Sequence, residues 1–346
     1  MVAIRILHLA DLHLGYRSAA TAWGSAAPNP RDLLLDRIAA KLTATYSEAR
    51  FRSWEGQRLD LILIAGDLFD THRPADGLVR RVIAAIKRMQ NLGAMVITLP
   101  GNHDEISHKD SIYNLYEKDW PGLLITSNRL DSPMPLMLRG QRIYLISMAY
   151  NSSDPGAKKL QTSFPPRVGE GFHLCLLHGL LREKGEKLSD QRCLHLDKEA
   201  LLSSGYDYIA LGHDHRPYSL VAENQLSVLA NPGLISPRDA YDPAEGKLLF
   251  VDLQRGQSPV LDWQQLDLGE SRPLSDPASA GEPGDTDFFD LQDLNRLAAQ
   301  DTEAGRLARL CLRDLFLTKD PNAERHLHRA LHRGLRMLAE TGEVKR

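Results

Sequence analysis

Residues 59–70 are Leu-Asp-Leu-Ile-Leu-Ile-Ala-Gly-Asp-Leu-Phe-Asp, an apolar run that ends abruptly in a Gly-Asp turn. Apolar runs of this length, bounded by Gly or Pro, are typical of strands that are buried on both faces. Four further apolar runs also end beside an Asp, Asn or His, and they span residues 3–10, 94–99, 172–177 and 206–211. The repeated pattern predicts several buried strands with polar side chains at their ends.

Helical patterns separate the first three runs. Apolar residues recur at helical spacing between 31 and 52, and Pro74 begins a second helical pattern that extends to about residue 92. This alternation of strands and helices predicts an α/β layered fold. Strand-like segments then follow one another without long helices over 135–147 and 218–253. They favour a mixed sheet or a sandwich flanked by helices over a purely parallel sheet.

The composition is that of a globular protein. Of 346 residues, 42% are hydrophobic and 25% are charged, which excludes wholesale disorder, and the length predicts one large domain plus a smaller segment. Three cysteines without CxxC spacing argue against a disulfide framework and against a structural zinc site. There is no secretory signal pattern and no apolar run near the ~20 residues that cross a bilayer. We therefore expect a soluble, cytoplasmic protein without a membrane partner.

The net charge of −3 identifies no partner, but the charge is unevenly distributed. Residues 264–287 are rich in Pro, Ser and acidic residues and predict a linker, followed by a small capping or partner-binding segment over 288–346. Residues 306–346 hold ten Lys or Arg and five Asp or Glu, a net charge of +5, whereas the rest holds 32 and 40, a net charge of −8. A helix predicted over 323–339 has an apolar stripe and four arginines, which form either a solvated face or a contact surface for DNA or a partner: Arg325, Arg329, Arg333 and Arg336.

The five apolar runs each end in a side chain that can bind a metal ion. In chain order these side chains are Asp11 with His13, Asp67, Asn102 with His103, His178, and His213 with His215. Residues at i and i+2 of an extended chain point to the same side, so Asp11 with His13, and His213 with His215, can each converge. Carboxylate, imidazole and amide donors without thiolate suit Mn²⁺, Fe or Zn²⁺. One motif alone could be a turn or a cap, but a set of this size predicts two ions that share a carboxylate.

The five motifs, in this order, resemble those of the calcineurin-like metallophosphoesterases. Their fuller forms resemble the SbcD-type DNA repair exonucleases within that family: Asp-Leu-His-Leu-Gly-Tyr at 11–16, Gly-Asp-Leu-Phe-Asp at 66–70, Gly-His-Asp-His-Arg-Pro at 212–217 and Asn-Pro-Gly at 231–233. The resemblance covers about residues 3–253. It implies a four-layer αββα sandwich, with a nuclease domain over 1–263 and a small C-terminal accessory segment. It also implies Mn²⁺-dependent phosphodiester cleavage and an SMC-like (SbcC-type) ATPase partner.

The same resemblance implies which residues bind each metal ion. The first ion would be held by Asp11, His13, Asp67 and His215. The second would be held by Asp67, Asn102, His178 and His213, with Asp67 bridging the two ions. Two divalent ions sharing a carboxylate can clamp an in-line phosphoryl displacement. The most fitting ion is Mn²⁺, with Fe, Zn²⁺ or Mg²⁺ as alternatives.

Three further residues are candidates for catalysis: His103, Asp104 and Asp70. The family pattern places His103 beside the scissile phosphate, where an imidazole can stabilise the transition state and protonate a departing 3′ oxygen. Asp104 would either hold the other ring nitrogen of His103 or cap the following turn. Some relatives have a second histidine where this chain has Asp70. Asp70 is therefore one candidate for orienting His103, and His72 is the other.

Three function classes follow from these observations. The first is a DNA nuclease, an exonuclease with endonuclease activity as an additional expectation, acting in DNA repair or foreign-DNA processing. The second is a small-molecule phosphatase or phosphodiesterase with the same metal centre. The third, a non-catalytic scaffold, predicts missing ligands, and none is missing. The expected partners are DNA and an SMC-like ATPase, with a homodimer as an alternative. Tyr16 and Arg17 are candidate contacts for DNA or phosphate, whereas His8 and His173 are expected to be core histidines.

Overall fold

A computed structural model of the chain describes residues 3–17, 30–46, 58–186, 188, 192–238, 242 and 246–266. Six strands form a first sheet: β1 (Ile4–Leu9), β2 (Leu61–Ala65), β3 (Met95–Leu99), β4 (Leu123–Leu124), β13 (Lys247–Leu253) and β14 (Val260–Gln265). Their order is β14-β13-β1-β2-β3-β4. Strands β1 to β4 are parallel, and β13 and β14 are antiparallel to their neighbours. The prediction of a mixed sheet is confirmed.

Eight strands form the second sheet. They are β5 (Met134–Leu138), β6 (Gln141–Met148), β7 (Leu160–Gln161), β8 (Phe172–Arg182), β9 (Leu194–Asp197), β10 (Tyr208–Gly212), β11 (Tyr218–Val221) and β12 (Val228–Asn231). The main order is β11-β12-β10-β8-β6-β5, and β9 joins β8 and β7 to the side. Strand β8 is longer than predicted because its last four residues pair with β9. His178 therefore lies within a strand, where the sequence predicted a turn.

The helices are α1 (Leu34–Tyr46), α2 (Asp76–Gln90), α3 (Ile112–Leu115) and α4 (Lys198–Leu202), with 3₁₀ turns at Pro30–Leu33 and Pro155–Lys158. Both long helices lie within the predicted helical segments, and α1 buries the predicted apolar face. Among the described residues, none of the helices combines the length and the apolar character that a bilayer crossing requires.

Three layers of buried apolar side chains hold the two sheets and the helices together. In β1, Ile4 and Ile6 pack against the second sheet, whereas Leu7 and Leu9 pack against the layer that contains α1 and α2. A third cluster covers the outer face of the second sheet and includes Leu201 of α4. Burial on both faces explains why the strand sequences are apolar without alternation. The predicted α/β sandwich is confirmed, with a thin outer layer on the second sheet.

Two histidines within the strands belong to this core. His8 is fully buried between the sheets, with its Nδ1 2.8 Å from the hydroxyl of Tyr208. Burial lowers the pKa of His8 to about 3, so its ring is neutral. The ring of His173 stacks on Tyr144 with 4.8 Å between centroids. Both residues have the structural role that the sequence predicted.

The domain boundary remains a prediction. The nuclease domain was predicted over 1–263, and the described part of the sandwich extends to β14. Most of the predicted linker over 264–287, and the whole of segment 288–346 with its predicted helix, lie outside the described residues.

Candidate metal centre

The predicted ligands meet at the edge where strands of both sheets end. Strands β1, β2 and β3 run parallel in the first sheet, and β8 and β10 run parallel in the second. Backbone groups of both sheets take part in contacts that join the sheets at this edge. The amide of His213 donates to the Asp11 carboxylate at 2.9 Å, and His178 Nδ1 lies 2.8 Å from the carbonyl oxygen of Ala65. The candidate centre therefore spans the seam between the two sheets.

One group of donors consists of Asp11, His13 and His215. Their ligand atoms all lie within 4.8 Å of one another. The Nε2 atoms of His13 and His215 are 3.3 Å apart. Two ring nitrogens at this distance must share a proton or a cation, because two lone pairs would repel. This group contains three of the four residues expected at the first ion.

A second group of donors consists of Asp67, His178 and His213, again within 4.8 Å. The side-chain oxygen of Asn102 lies 3.0 Å from His178 Nε2 and 2.8 Å from His213 Nδ1. The contact of His178 Nδ1 with Ala65 places the proton of the neutral ring on Nδ1 and leaves the Nε2 lone pair for a cation. All four residues expected at the second ion are thus together.

The carboxylate of Asp67 lies between the two groups. Its Oδ2 atom is 3.7 Å from His13 Nε2 in the first group and 3.3 Å from His178 Nε2 in the second. Its Oδ1 atom accepts a hydrogen bond from the amide of His103 at 2.9 Å, which fixes the orientation of the carboxylate. This position matches the bridging role that the family resemblance implies.

The backbone at the centre is strained. Four of the candidate ligands have positive φ angles: Asp11 (53°), His13 (44°), Asp67 (49°) and His213 (94°). Residues other than Gly rarely adopt a positive φ angle, and each residue that does so lowers the stability of the fold by on the order of 1–3 kcal/mol. Strain at four neighbouring ligands indicates that the packing of the two sheets holds the loops in a conformation useful for binding.

Two glycines allow the loops to approach the ligands. A Cβ atom on Gly66 would lie 2.1 Å from His178 Nδ1, and one on Gly101 would lie 2.2 Å from Asp67 Oδ1. No real Cβ atom comes so close to another heavy atom, so any side chain at these positions displaces a candidate ligand. The Gly-Asp and Gly-Asn-His-Asp motifs therefore need their glycines for space.

Replacing Gly101 with Ala is expected to displace the Asp67 carboxylate. We expect the variant to lose bound metal. We also expect its free energy of unfolding to be about 1–3 kcal/mol below that of the wild type, as for other overpacked sites. Metal analysis and thermal unfolding measure the two effects. The control is Gly77→Ala in α2, where a Cβ meets nothing within 4 Å, and which should retain metal and gain slight stability. Wild-type metal content in Gly101→Ala would contradict the prediction.

The charges at the centre are tuned by burial and by one another. Burial raises the pKa of Asp11 above its ordinary value. Burial also disfavours the charged form of Asp67, but the imidazoles of His178 and His13 outweigh burial and hold its pKa below the ordinary value. Burial lowers the pKa of His178, but the carboxylates of Asp67 and Asp11 outweigh it and raise that pKa. Burial lowers the pKa of His215 to about 4. Protons and cations thus compete for the same buried donors.

The donor set fits divalent metal ions. It contains carboxylate oxygens, one amide oxygen and imidazole nitrogens, all converging within a few ångströms, and it contains no sulfur. Such donors suit Mn²⁺, Fe²⁺ or Zn²⁺ and offer no preference for a soft ion. The fixed ring orientation of His178 and the orienting hydrogen bond to Asp67 are typical outer contacts of metal ligands.

His103 lies beside the Asp67 carboxylate with 39% of its side chain exposed. Its Nδ1 is 3.0 Å from the carbonyl oxygen of Asp70, and its ring meets the ring of His13 edge-on, with 4.8 Å between centroids. The carboxylate of Asp70 lies closer to His13 Nδ1, at 3.0 Å, than to His103 Nδ1, at 3.7 Å. Asp70 therefore orients His13 through its side chain and His103 through its backbone. His72 instead stacks on the ring of His108.

The third residue predicted to take part in catalysis is Asp104. Its carboxylate is fully buried and accepts hydrogen bonds from the amides of Phe69 and Gly101 and from the hydroxyl of Tyr113. The contacts with Phe69 and Gly101 join the loop after β2 to the loop after β3. Several donors are needed because they offset the cost of removing a carboxylate from water. These contacts hold Asp104 against the backbone of both loops, and they position the loop that carries His103.

Sequence reasoning missed three residues at the centre. Asn231, in the Asn-Pro-Gly motif, donates to the backbone carbonyls of Asp214 and Arg216 and so holds the loop that carries His213 and His215. Its place in a recognised motif could have indicated this role.

The other two missed residues are Arg238 and Asp242. Nη2 of Arg238 lies 3.0 Å from His215 Nδ1, and Asp242 pairs with Arg238. The sequence over 236–242, Ser-Pro-Arg-Asp-Ala-Tyr-Asp, carries no pattern that would have singled out either residue.

Comparison with known proteins identifies relatives of the chain. Residues 4–217 match the family described as calcineurin-like phosphoesterase. A Bacillus subtilis protein described as "uncharacterized metallophosphoesterase YhaO" is 28% identical over 262 residues, which cover 73% of this chain. The chain spans 58% of the length of that relative. A crystal structure of a conserved uncharacterized protein from Streptococcus pneumoniae TIGR4, described as a predicted phosphoesterase, aligns at 13% identity with a TM-score of 0.33, covering 77% of this chain and 92% of that one. Neither description names a substrate.

Proposed function

Because this chain belongs to the calcineurin-like phosphoesterase family, we propose that it is a DNA nuclease that hydrolyses phosphodiester bonds with two Mn²⁺ ions. The chain is a metal-dependent phosphoester hydrolase. The choice of a polymeric substrate rests on one observation: His103 stands 39% exposed beside the bridging Asp67, where a bulky ester can reach it from solvent. The extended motifs over 11–16 and 212–217 support DNA as that polymer.

The proposed reaction needs two kinds of residue, those that bind the metal ions and one that donates a proton. Asp11, His13, Asp67 and His215 would hold one ion, and Asp67, Asn102, His178 and His213 the other. When bound, two divalent ions supply Lewis acidity, which activates a water molecule and neutralises charge on the phosphoryl oxygens. The contact of His103 Nδ1 with the Asp70 carbonyl orients its ring. His103 then gives a proton to the departing oxygen.

The substrate class is tested by offering DNA and small esters side by side. The full-length protein with Mn²⁺ is incubated with 5′- or 3′-end-labelled linear DNA, with closed circular DNA, and with bis(p-nitrophenyl) phosphate and p-nitrophenyl phosphate. We expect degradation of linear DNA, and cutting of the circle would add endonuclease activity. Asp67→Asn, prepared in parallel, controls for contaminating nucleases. Hydrolysis of the small esters alone would instead support a small-molecule phosphodiesterase or phosphatase.

The choice of Mn²⁺ follows from the mixed donor set. Imidazole donors suit Fe²⁺ and Zn²⁺, whereas carboxylate and amide oxygens suit Mg²⁺ and Mn²⁺, and Mn²⁺ accepts both kinds. Activity is compared after removal of bound metal and addition of each ion in turn. The highest turnover is expected with Mn²⁺. Maximal activity with Zn²⁺ at one ion per chain would argue against this part of the proposal.

Segment 288–346 is proposed to contribute to DNA binding through Arg325, Arg329, Arg333 and Arg336, which lie outside the described residues. Each arginine that neutralises a phosphate releases a counterion, so replacing one with Gln should lower the magnitude of the log–log salt slope by about one. Changing all four in the full chain should lower it by about four. DNA affinity is measured by fluorescence anisotropy over a series of salt concentrations.

The control for these arginines is Arg88→Gln in α2. Arg88 is an exposed arginine paired with Asp36 on the helical layer, and its replacement should leave the slope unchanged. An unchanged slope in the fourfold variant, together with lost recruitment of an SMC-like ATPase, would make the segment a partner-docking element. Light scattering of the full chain tests the remaining alternative, a homodimer.

A further inference from the structure

A cationic and aromatic cluster lies at the edge of the metal centre next to His215. It consists of Tyr16, Arg238 and Asp242, which we call the Arg238 cluster, and Arg31 lies beside it. The Tyr16 ring has the guanidinium of Arg31 at 5.9 Å and that of Arg238 at 5.7 Å from its centroid. Cations over an aromatic face at such distances are attracted by its quadrupole, so the ring helps to orient both groups.

Arg238 is held at its base and directed toward the candidate ligands at its tip. Its amide and its Nε atom both donate to Asp242 Oδ2, at 2.8 and 3.1 Å. Its Nη2 atom lies 3.0 Å from His215 Nδ1. The side chain is 23% exposed, so solvent reaches it. Asp242 thus fixes the direction of Arg238 without covering the guanidinium.

Two other arginines nearby are engaged elsewhere. Arg31 is 5% exposed, and its two terminal nitrogens donate to the carbonyls of Leu12 and Ser236. Arg17 makes a two-pronged contact with the carboxylate of Asp32. Arg31 therefore braces the loops behind the cluster, and Arg238 is the arginine of this group that faces the metal ligands.

The position of Arg238 is unfavourable for metal binding alone. A positive charge 3.0 Å from a ring that would bind a divalent cation repels that cation. The guanidinium of Arg238 becomes favourable at this position when the centre also binds an anion. The guanidinium then forms a charge-assisted hydrogen bond with that anion in a partly desolvated site. The reaction of this family supplies such an anion, the phosphoryl group of the ester.

We propose that the Arg238 cluster is the binding site for a phosphoryl oxygen of the substrate, with the guanidinium of Arg238 as the donor. Asp242 sets the direction of that donor, and Tyr16 covers its face. The proposal rests on the hydrolysis of phosphoesters and not on DNA as the substrate, since monoesters and diesters offer the same oxygen. It makes Arg238 a substrate-binding residue outside the metal ligands.

The test measures binding of inorganic phosphate, the smallest group with this chemistry, to the Mn²⁺-loaded full chain by isothermal titration calorimetry. Arg238→Gln should weaken binding of phosphate by about 10–100-fold, the range for a hydrogen bond to a charged group, with the metal content of the wild type. With bis(p-nitrophenyl) phosphate, KM should rise by a similar factor while kcat changes little. Arg238→Lys keeps the positive charge but loses the planar pair of guanidinium donors. Its affinity for phosphate should lie between those of the wild type and Arg238→Gln.

The matched control is Arg167→Gln. Arg167 is also a partly exposed arginine paired with one carboxylate, that of Asp207 at 3.0 Å, but it precedes β8 at the opposite edge of the second sheet. It should bind phosphate as the wild type does. The double change Arg238→Gln with Asp242→Asn also removes the charge of Asp242, and it should weaken phosphate binding as much as Arg238→Gln.

Three results would overturn the proposal. Unchanged phosphate binding in Arg238→Gln would show that the guanidinium does not contact the ligand. Loss of metal in that variant would show that Arg238 positions His215. Recovery of phosphate binding in the double variant would show that the charge of Asp242 caused the defect. Because phosphate itself is the probe, a failure to cleave DNA would leave this test intact and would bear only on the substrate proposed above.

Discussion

Replacing Asp67 with Asn is expected to remove both metal ions and to reduce hydrolysis to background. Its Oδ2 atom faces ligands of both donor groups, 3.7 Å from His13 Nε2 and 3.3 Å from His178 Nε2. An amide brings no negative charge to offset either cation, and its NH₂ group or its single carbonyl oxygen would face one of the two sites. The loss of one side chain should therefore empty two sites together.

Elemental analysis of the purified variant measures the metal content, and thermal unfolding with and without Mn²⁺ measures binding through stabilisation. The matched control is Asp60→Asn. Asp60 is also a buried carboxylate next to β2, but it lies at the other end of that strand and accepts a hydrogen bond from the amide of Arg5 at 3.0 Å. The control should keep both ions. One ion retained in Asp67→Asn would show that the two sites do not share this carboxylate.

Replacing His103 with Ala is expected to leave both ions in place and to lower kcat on DNA by roughly 10²–10⁴-fold, the usual effect of losing a positioned acid. The reason is that the family pattern does not include His103 among the ligands and that its Nδ1 contacts the carbonyl oxygen of Asp70, although His103 also forms a third donor group with His13 and Asp70. The size of the loss should depend on the leaving group. A nitrophenolate departs without a proton, so bis(p-nitrophenyl) phosphate should suffer much less than DNA.

His108→Ala is the control for His103, because His108 belongs to the same loop, is partly exposed and contacts Glu105 away from the ligands. It should retain both activity and metal. Loss of metal in His103→Ala would make His103 a ligand. An equal loss on both kinds of ester would argue for a charge-stabilising role and against proton donation.

The stretches around 59–70 and 206–217 show which features of the fold and of the site could be predicted from the local sequence. Strand β2 and strand β10 could be predicted because each is an apolar run ended by Gly, and a strand buried on both faces leaves that pattern in any context. The candidate ligands could be predicted because few side chains bind metal and because they follow those strands. The length of β8 could not, because its last four residues are strand only through pairing with β9, which comes twelve or more residues later.

The sequence by itself determined the kinds of donors at the centre and the strands that carry them, since donor chemistry and apolar runs are properties of single segments. Only the tertiary structure decided which groups contact one another at the centre. In the folded protein the Asp70 carboxylate contacts His13, the Asp104 carboxylate accepts hydrogen bonds from the amides of two loops, and Arg238 contacts His215. These contacts join residues whose separation is set by the packing of two sheets, and no periodicity within either partner encodes the distance between them.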